Sequence, residues 1–166
     1  MRKRIRELLE RQAINEIAGL AGHKRRVLGT LVSLTFDRDT LIAWRAVEAM
    51  AAAAERIARE HVDYVRDHVR RLHWHLSEES GGVCWRAPEA MAEIVRRVPA
   101  LASEYAPIVV SLIGAMAEED LDHFRAGILW AIGRLGPLAH DQLPAVLPAI
   151  TSALSDRDPQ VRGMAV

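Results

Sequence analysis

Cys84 is the only thiol in the chain, and it lies in the run Leu76-Ser77-Glu78-Glu79-Ser80-Gly81-Gly82-Val83-Cys84-Trp85. Pro88 has no N–H to donate, so it belongs in the first turn of a helix, and Cys84 then falls near that helix's N-terminus. The positive end of a helix lowers a thiol pKa and favours the nucleophilic thiolate. Glu78 and Glu79 oppose this, because nearby carboxylates disfavour a further negative charge. The preferred reading is a turn, made permissive by two glycines, holding a small half-buried thiol. The alternative is a lyase-type or small-ligand enzyme that uses the loop 78–85 with Cys84 as nucleophile or ligand.

Histidines cluster at His61, His68, His73 and His75. Two residues apart on a helix, His73 and His75 point in different directions and cannot chelate. His61, His68 and His75 share a face, but steps of seven residues separate them by roughly 10 Å, too far for one ion. Solvated or packing histidines are expected, and neither metal nor cofactor. No catalytic constellation is visible, so the balance is against an enzyme.

These residues must be positioned by helices. Half the chain is apolar and 27% charged, with 5% aromatics and no net charge. Ala, Leu and Arg are abundant and cost little to place in helices. One cysteine excludes an intrachain disulfide, and a cytoplasmic protein is the simplest expectation. No apolar run has the length of a membrane span, and the N-terminus lacks the apolar core of a signal peptide. Residues 1–26 hold eight Lys or Arg against three Glu, a charge of +5, which leaves −5 on the remainder. A DNA-binding domain shows a stronger basic bias, so nucleic acid ranks last among partners.

The helices recur. Trp44-Arg45-Ala46-Val47-Glu48-Ala49-Met50-Ala51 matches Trp85-Arg86-Ala87-Pro88-Glu89-Ala90-Met91-Ala92 at seven of eight positions, 41 residues apart. Phe124-Arg125-Ala126 and Val161-Arg162-Gly163 follow at steps of 39 and 37. An acidic turn precedes each copy: Asp37 and Asp39, Glu78 and Glu79, Asp120 and Asp122, Asp156 and Asp158. Upstream of the turns lie apolar stripes in steps of three and four, such as Val62, Val65, Val69, Leu72 and Leu76, which bury one helix face. A period near 40 residues is the length of a two-helix repeat. The pairs are expected at 23–35 with 40–59, 61–76 with 85–98, 104–118 with 122–135, and 142–154 with 158 onward.

Leu143-Pro144-Ala145-Val146-Leu147-Pro148, followed by Leu154-Ser155-Asp156-Arg157-Asp158-Pro159-Gln160-Val161-Arg162, closely resembles a HEAT repeat. It is similar to small bacterial proteins of the phycobilisome-lyase-like HEAT-repeat group. The resemblance implies an all-α fold, a right-handed α-solenoid of about four helical hairpins whose second helices line the concave face. The expected organisation is one domain over residues 1–166. A capping helix at 1–20 (helical over 1–18) precedes repeats at about 21–59, 60–99, 100–137 and 138–166. The chain stops at Val166 inside an expected second helix with no polar cap. Either the natural chain is longer or that edge packs against something else.

HEAT-repeat hydroxylases hold iron with His-Glu dipeptides, and this chain has none. HEAT-like DNA glycosylases use aromatics on a basic concave surface, but Trp44, Trp85 and Trp130 are read here as packing between repeats. Arg45, Arg86, Arg125 and Arg162 are expected to brace turn carboxylates. With Ala46, Ala49, Met50 and Ala53 inward, Glu48, Glu55 and Arg59 face elsewhere, as do Glu89, Glu93 and Arg96 in the next repeat. Glu48 and Glu89 share a repeat position and are expected side by side, an acidic ladder suited to a basic peptide or helix. The expected function is a non-catalytic scaffold that binds a protein segment there. The basic N-terminal residues Arg2, Lys3, Arg4, Arg6 and Arg11 are assigned to the cap helix.

Overall fold

The computed structural model describes residues 1–76, 84–115 and 122–166, with the backbone alone at Asp122. Within them the chain is all-helical: α1 (Arg2–Glu10), α2 (Ile14–His23), α3 (Val27–Leu34), α4 (Thr40–Trp74), α5 (Ala87–Arg97), α6 (Ala102–Ala115), α7 (Arg125–Leu135), α8 (Leu143–Ala153) and α9 (Pro159–Met164). Tight 3-10 turns at Pro99–Leu101, Asp122–Phe124 and Gly136–Ala139 join some of them. No strand occurs among the described residues.

Local chemistry sets the helix ends. Asp39 leaves the helical conformation, and its side chain accepts from the backbone N–H of Leu41 (2.9 Å) and Ile42 (3.4 Å), capping α4. Asp37 in turn accepts from the Asp39 N–H at 3.1 Å. Asp158 and Asp156 repeat the device at α9, with 2.8 Å bonds from the N–H groups of Gln160 and Asp158. Pro88 lies in the first turn of α5, as its missing N–H requires. Gly136 ends α7 at φ +54, a conformation that glycine adopts without steric cost.

Two helices break where no Pro or Gly stands. His61, at φ −142 and ψ 58, divides α4 into 40–60 and 62–74, at the hairpin boundary expected from the repeat period. Gln12, at φ +56, separates α1 from α2, so the single cap helix expected over 1–18 is two helices. A tertiary contact accompanies the break. Arg45 Nη1 donates to the carbonyls of Leu9 and Glu10 at 3.1 Å each, holding the open end of α1 against α4. A cation at a helix C-terminus is favourable there. Ile5, Leu8, Leu9 and Ile17 are buried as expected, and Ala13 is half-buried.

Packing runs along the chain: α2 and α3 against α4, α4 against α5, α5 against α7, and α7 against α9. Ala46, Ala49 and Ala53 are fully buried, which lets the helix axes close up. Met50, Met91, Ile94 and Leu72 fill the remaining space, each worth roughly 1.5–3 kcal/mol of burial. Every residue of α5 from Ala87 to Val95 is buried, because α4 and α7 cover it from both sides.

The repeated arginines do not form one uniform ladder. Arg125 pairs with Asp156, a turn carboxylate of the following hairpin, as expected. Arg162 instead donates to the carbonyls of Asp156 (2.8 Å) and Arg157 (3.1 Å), and Arg86 reaches Glu89.

Candidate functional site

Two recesses open along the face of α5 that carries Glu89 and Glu93, one toward each end of the helix. In the first, α4 contributes Trp44, Arg45 and Glu48, α5 contributes Glu93, Arg96 and Arg97, and α7 contributes Trp130 and Arg134. Spacings of three and four residues bring each set to one helix face. The recess encloses about 400 Å³. At its centre the Trp44 and Trp130 rings are 5.0 Å apart and tilted by 52°. Arg86 stacks over Trp44 at 4.1 Å and Arg134 over Trp130 at 5.5 Å. Each cation–aromatic contact contributes about 0.5–1 kcal/mol in a partly exposed setting.

Glu93 ties the arginines together. It is 3% exposed and accepts from Arg134 Nε at 2.5 Å and Arg96 Nη2 at 2.9 Å. Burial pushes its carboxyl up, but the bonds from Arg134 and Arg96 outweigh burial and hold it below the usual carboxylate range. Arg97 pairs with Glu55 at 3.5 Å. Four arginines against Glu48 and Glu93 give the lining a formal charge of +2.

The expected acidic ladder is therefore corrected. Glu48 is exposed in this first recess, while Glu89 is 4% exposed and lines the other one. Equal repeat positions have unequal surroundings, because α5 is covered on both flanks. Glu93 is bound by arginines, Glu55 is half-buried beside Arg97, and Arg59 and Arg96 are exposed. Glu78 and Glu79 lie outside the described residues.

The second recess, of about 260 Å³, lies among Asp37, Trp85, Arg86, Glu89, His123 and Gly127. Trp85 meets the His123 ring edge-on at 4.9 Å, and His123 lies 4.2 Å from Phe124. Trp85 is 56% exposed, so the expectation that it packs between repeats is not met. Trp44 and Trp130 do bridge α4 and α7. Glu89 Oε1 accepts from Arg86 at 3.4 Å, and Oε2 has no hydrogen-bond partner among the described residues. An unmatched buried polar atom of this kind costs about 1–3 kcal/mol. Burial pushes the Glu89 carboxyl up to about 7, against the lowering pull of its own backbone N–H and of Arg86. A Cβ on Gly127 would lie 2.8 Å from Glu89 Oε1, so the carboxyl occupies space that only glycine leaves.

Cys84 is fully buried, with its thiol 3.7 Å from Thr35 Oγ1. Burial pushes the thiol up, outweighing the Thr35 contact. Cys84 therefore has neither the exposure nor the lowered pKa of a nucleophile, and it is more deeply buried than the half-buried thiol expected. His68 is buried and driven down to about 4 by desolvation, then by Arg71 and His75. No three His, Cys, Asp or Glu residues among those described stand close enough to hold a metal ion. No single helix among them is long and apolar enough to cross a membrane.

The residues not assigned to a site from the sequence are Trp44, Arg45, Arg97, Trp130 and Arg134 in the first recess, and Asp37, Trp85, Arg86 and His123 in the second. Trp130 and Arg134 stand four residues apart, a visible pairing, but Trp130 is not the counterpart of Trp44 in the repeat, so nothing linked the two rings. Gly127 was the available signal for the second recess: it stands where the earlier copies have Val47 and Pro88.

No protein-family model matches the chain, and no solved structure does. An uncharacterized protein of Archaeoglobus fulgidus is 29% identical over 114 residues, which cover 69% of this chain and 56% of that protein. The chain thus spans about half the length of the curated relative it matches.

Proposed function

We propose that the chain is a solenoid of about four HEAT-like hairpins acting as a non-catalytic, cytoplasmic docking module. The partner is an acidic protein segment carrying aromatic or large apolar side chains, held in the Trp44–Trp130 recess. The observation that carries this reading is the gathering of two tryptophan rings in contact and four arginines in one recess. Aromatics and arginines are the side chains that dominate binding energy at protein interfaces. The excess of arginine in this lining favours an acidic partner over the basic one expected from the sequence. Successive contacts of α4, α5, α7 and α9 and the recurring Asp-x-Asp cap support the solenoid.

The test is an array of twelve-residue peptides. One half alternates Asp or Glu with Phe, Tyr or Leu; the other half carries Lys in place of each acid. Preferential binding of the acidic half, weakening as salt rises, is expected. Equal binding of both halves, or preference for Lys, overturns the reading.

A further inference from the structure

The second recess has an unanswered acceptor. Glu89 lines it, is 4% exposed, and leaves Oε2 with no hydrogen-bond partner among the described residues. The side-chain hydrogen bond it accepts among the described residues, from Arg86 Nη1 at 3.4 Å to Oε1, is long, and Arg86 also stacks over Trp44. The carboxyl itself fills the space that Gly127 leaves, which fixes it against α7. A buried oxygen of this kind can accept an N–H or O–H that the described residues do not supply.

The rest of the lining says which kind. Trp85 offers an exposed aromatic face backed by His123 and Phe124. Asp37 adds a second carboxylate, held below the usual range first by the Asp39 N–H and further by Arg6. Once Glu89 is ionised, above about pH 7, Asp37 and Glu89 against Arg86 give the lining a formal charge of −1. An anion would meet two carboxylates. A cation meets two carboxylates and an aromatic face, the combination that recognises ammonium and guanidinium groups.

We propose that this recess binds an organic monocation, an alkyl guanidinium or alkyl ammonium, whose N–H donates to Glu89 Oε2 while its charge lies over Trp85. The ligand is either a free small amine or the end of an arginine or lysine side chain. The site is separate from the Trp44–Trp130 recess and does not depend on the docking reading.

The experiment titrates the protein with n-butylguanidinium, n-butylammonium and a blocked Gly-Arg-Gly peptide, with pentanoate as the anionic control. Binding is read by calorimetry and by the indole N–H resonances of the tryptophans. One equivalent of cation is expected to bind and to shift Trp85, leaving Trp130 unmoved. Tighter binding of the free alkyl cations assigns the site to a small amine; tighter binding of the peptide assigns it to a side chain. Glu89→Gln, which keeps the size and the fold, is expected to weaken binding at least tenfold. The surface change Trp85→Leu is expected to weaken it several-fold. No binding of any cation, equal binding of pentanoate, or unchanged affinity in Glu89→Gln overturns the proposal. None of these outcomes bears on acidic peptides in the other recess.

Discussion

Glu89 and Gly127 are a matched pair, and each predicts a measurable effect. Gly127→Ala places a methyl 2.8 Å from the Glu89 carboxyl, which is hemmed between α5 and α7. A loss of about 1–3 kcal/mol in urea-unfolding stability is expected, the ordinary cost of overpacking. Truncating the acid as well, in Glu89→Ala/Gly127→Ala, should recover part of that loss. Equal stability of Gly127→Ala and wild type would contradict the geometry.

The same carboxyl predicts a pH dependence. Its folded pKa of about 7 lies above its ordinary 4.5. Between these values the folded chain keeps a proton that the unfolded chain has released, so stability falls as pH rises through the window. The fall amounts to as much as about 3 kcal/mol. His68 acts in the opposite sense: driven down to about 4 from 6.5, it removes stability as pH falls through that range. The wild-type profile is therefore a partial cancellation, and the informative quantity is a difference. The stability of Glu89→Gln relative to wild type should climb from pH 4.5 to 7 and then level off. Asp37 and Arg86, which face the carboxyl, keep fixed charges there, and His123 is common to both proteins. A pH-independent difference would contradict the assignment.

At the level of elements, Asp39 and Asp158 cap helices of very different weight. Removing either cap costs about 1 kcal/mol locally. Asp39 starts the helix that packs on α2, α3 and α5, so Asp39→Ala should lower the global unfolding free energy. Asp158 starts a six-residue helix that packs on α7 with Val161 as its buried residue. Asp158→Ala should therefore leave the global value unchanged and speed amide exchange in α9 alone. Global destabilisation by Asp158→Ala would show that the last hairpin is more tightly coupled than its exposure implies.

Element by element, the helices were readable where the repeat carried them. The hairpin boundary at His61 has no Pro or Gly, and the period alone located it. The break at Gln12 stayed hidden because the first 20 residues have no counterpart in the repeat and the Arg45 bonds that accompany it are tertiary. The site was less legible for a related reason. The period told which residues are equivalent, and Glu48 and Glu89 are. It did not tell that α7 covers one and not the other, and burial turned one of two equivalent glutamates into a buried acid. The Cys84 environment was half legible: the late start of α5 followed from Pro88, but its burial against Thr35 depends on α3.

For the whole molecule, a net charge of zero conceals two differently charged recesses along one face of α5, the first rich in arginine and the second lined by Asp37 and Glu89. Arg86 joins them, stacking on Trp44 in the first and reaching Glu89 in the second. The basic recess with its two tryptophans is the basis of the docking proposal. The most direct measurement is a fluorescence titration with one acidic, Phe-containing peptide and its Lys-substituted counterpart. Wild type and Arg134→Gln are compared at low and high salt. The account predicts that the acidic peptide perturbs Trp44 and Trp130 emission and that salt weakens it. Arg134→Gln, which can still donate to Glu93, should weaken it about tenfold, the value of one charge-assisted contact. Tighter binding of the Lys peptide, or an affinity indifferent to Arg134, would contradict it.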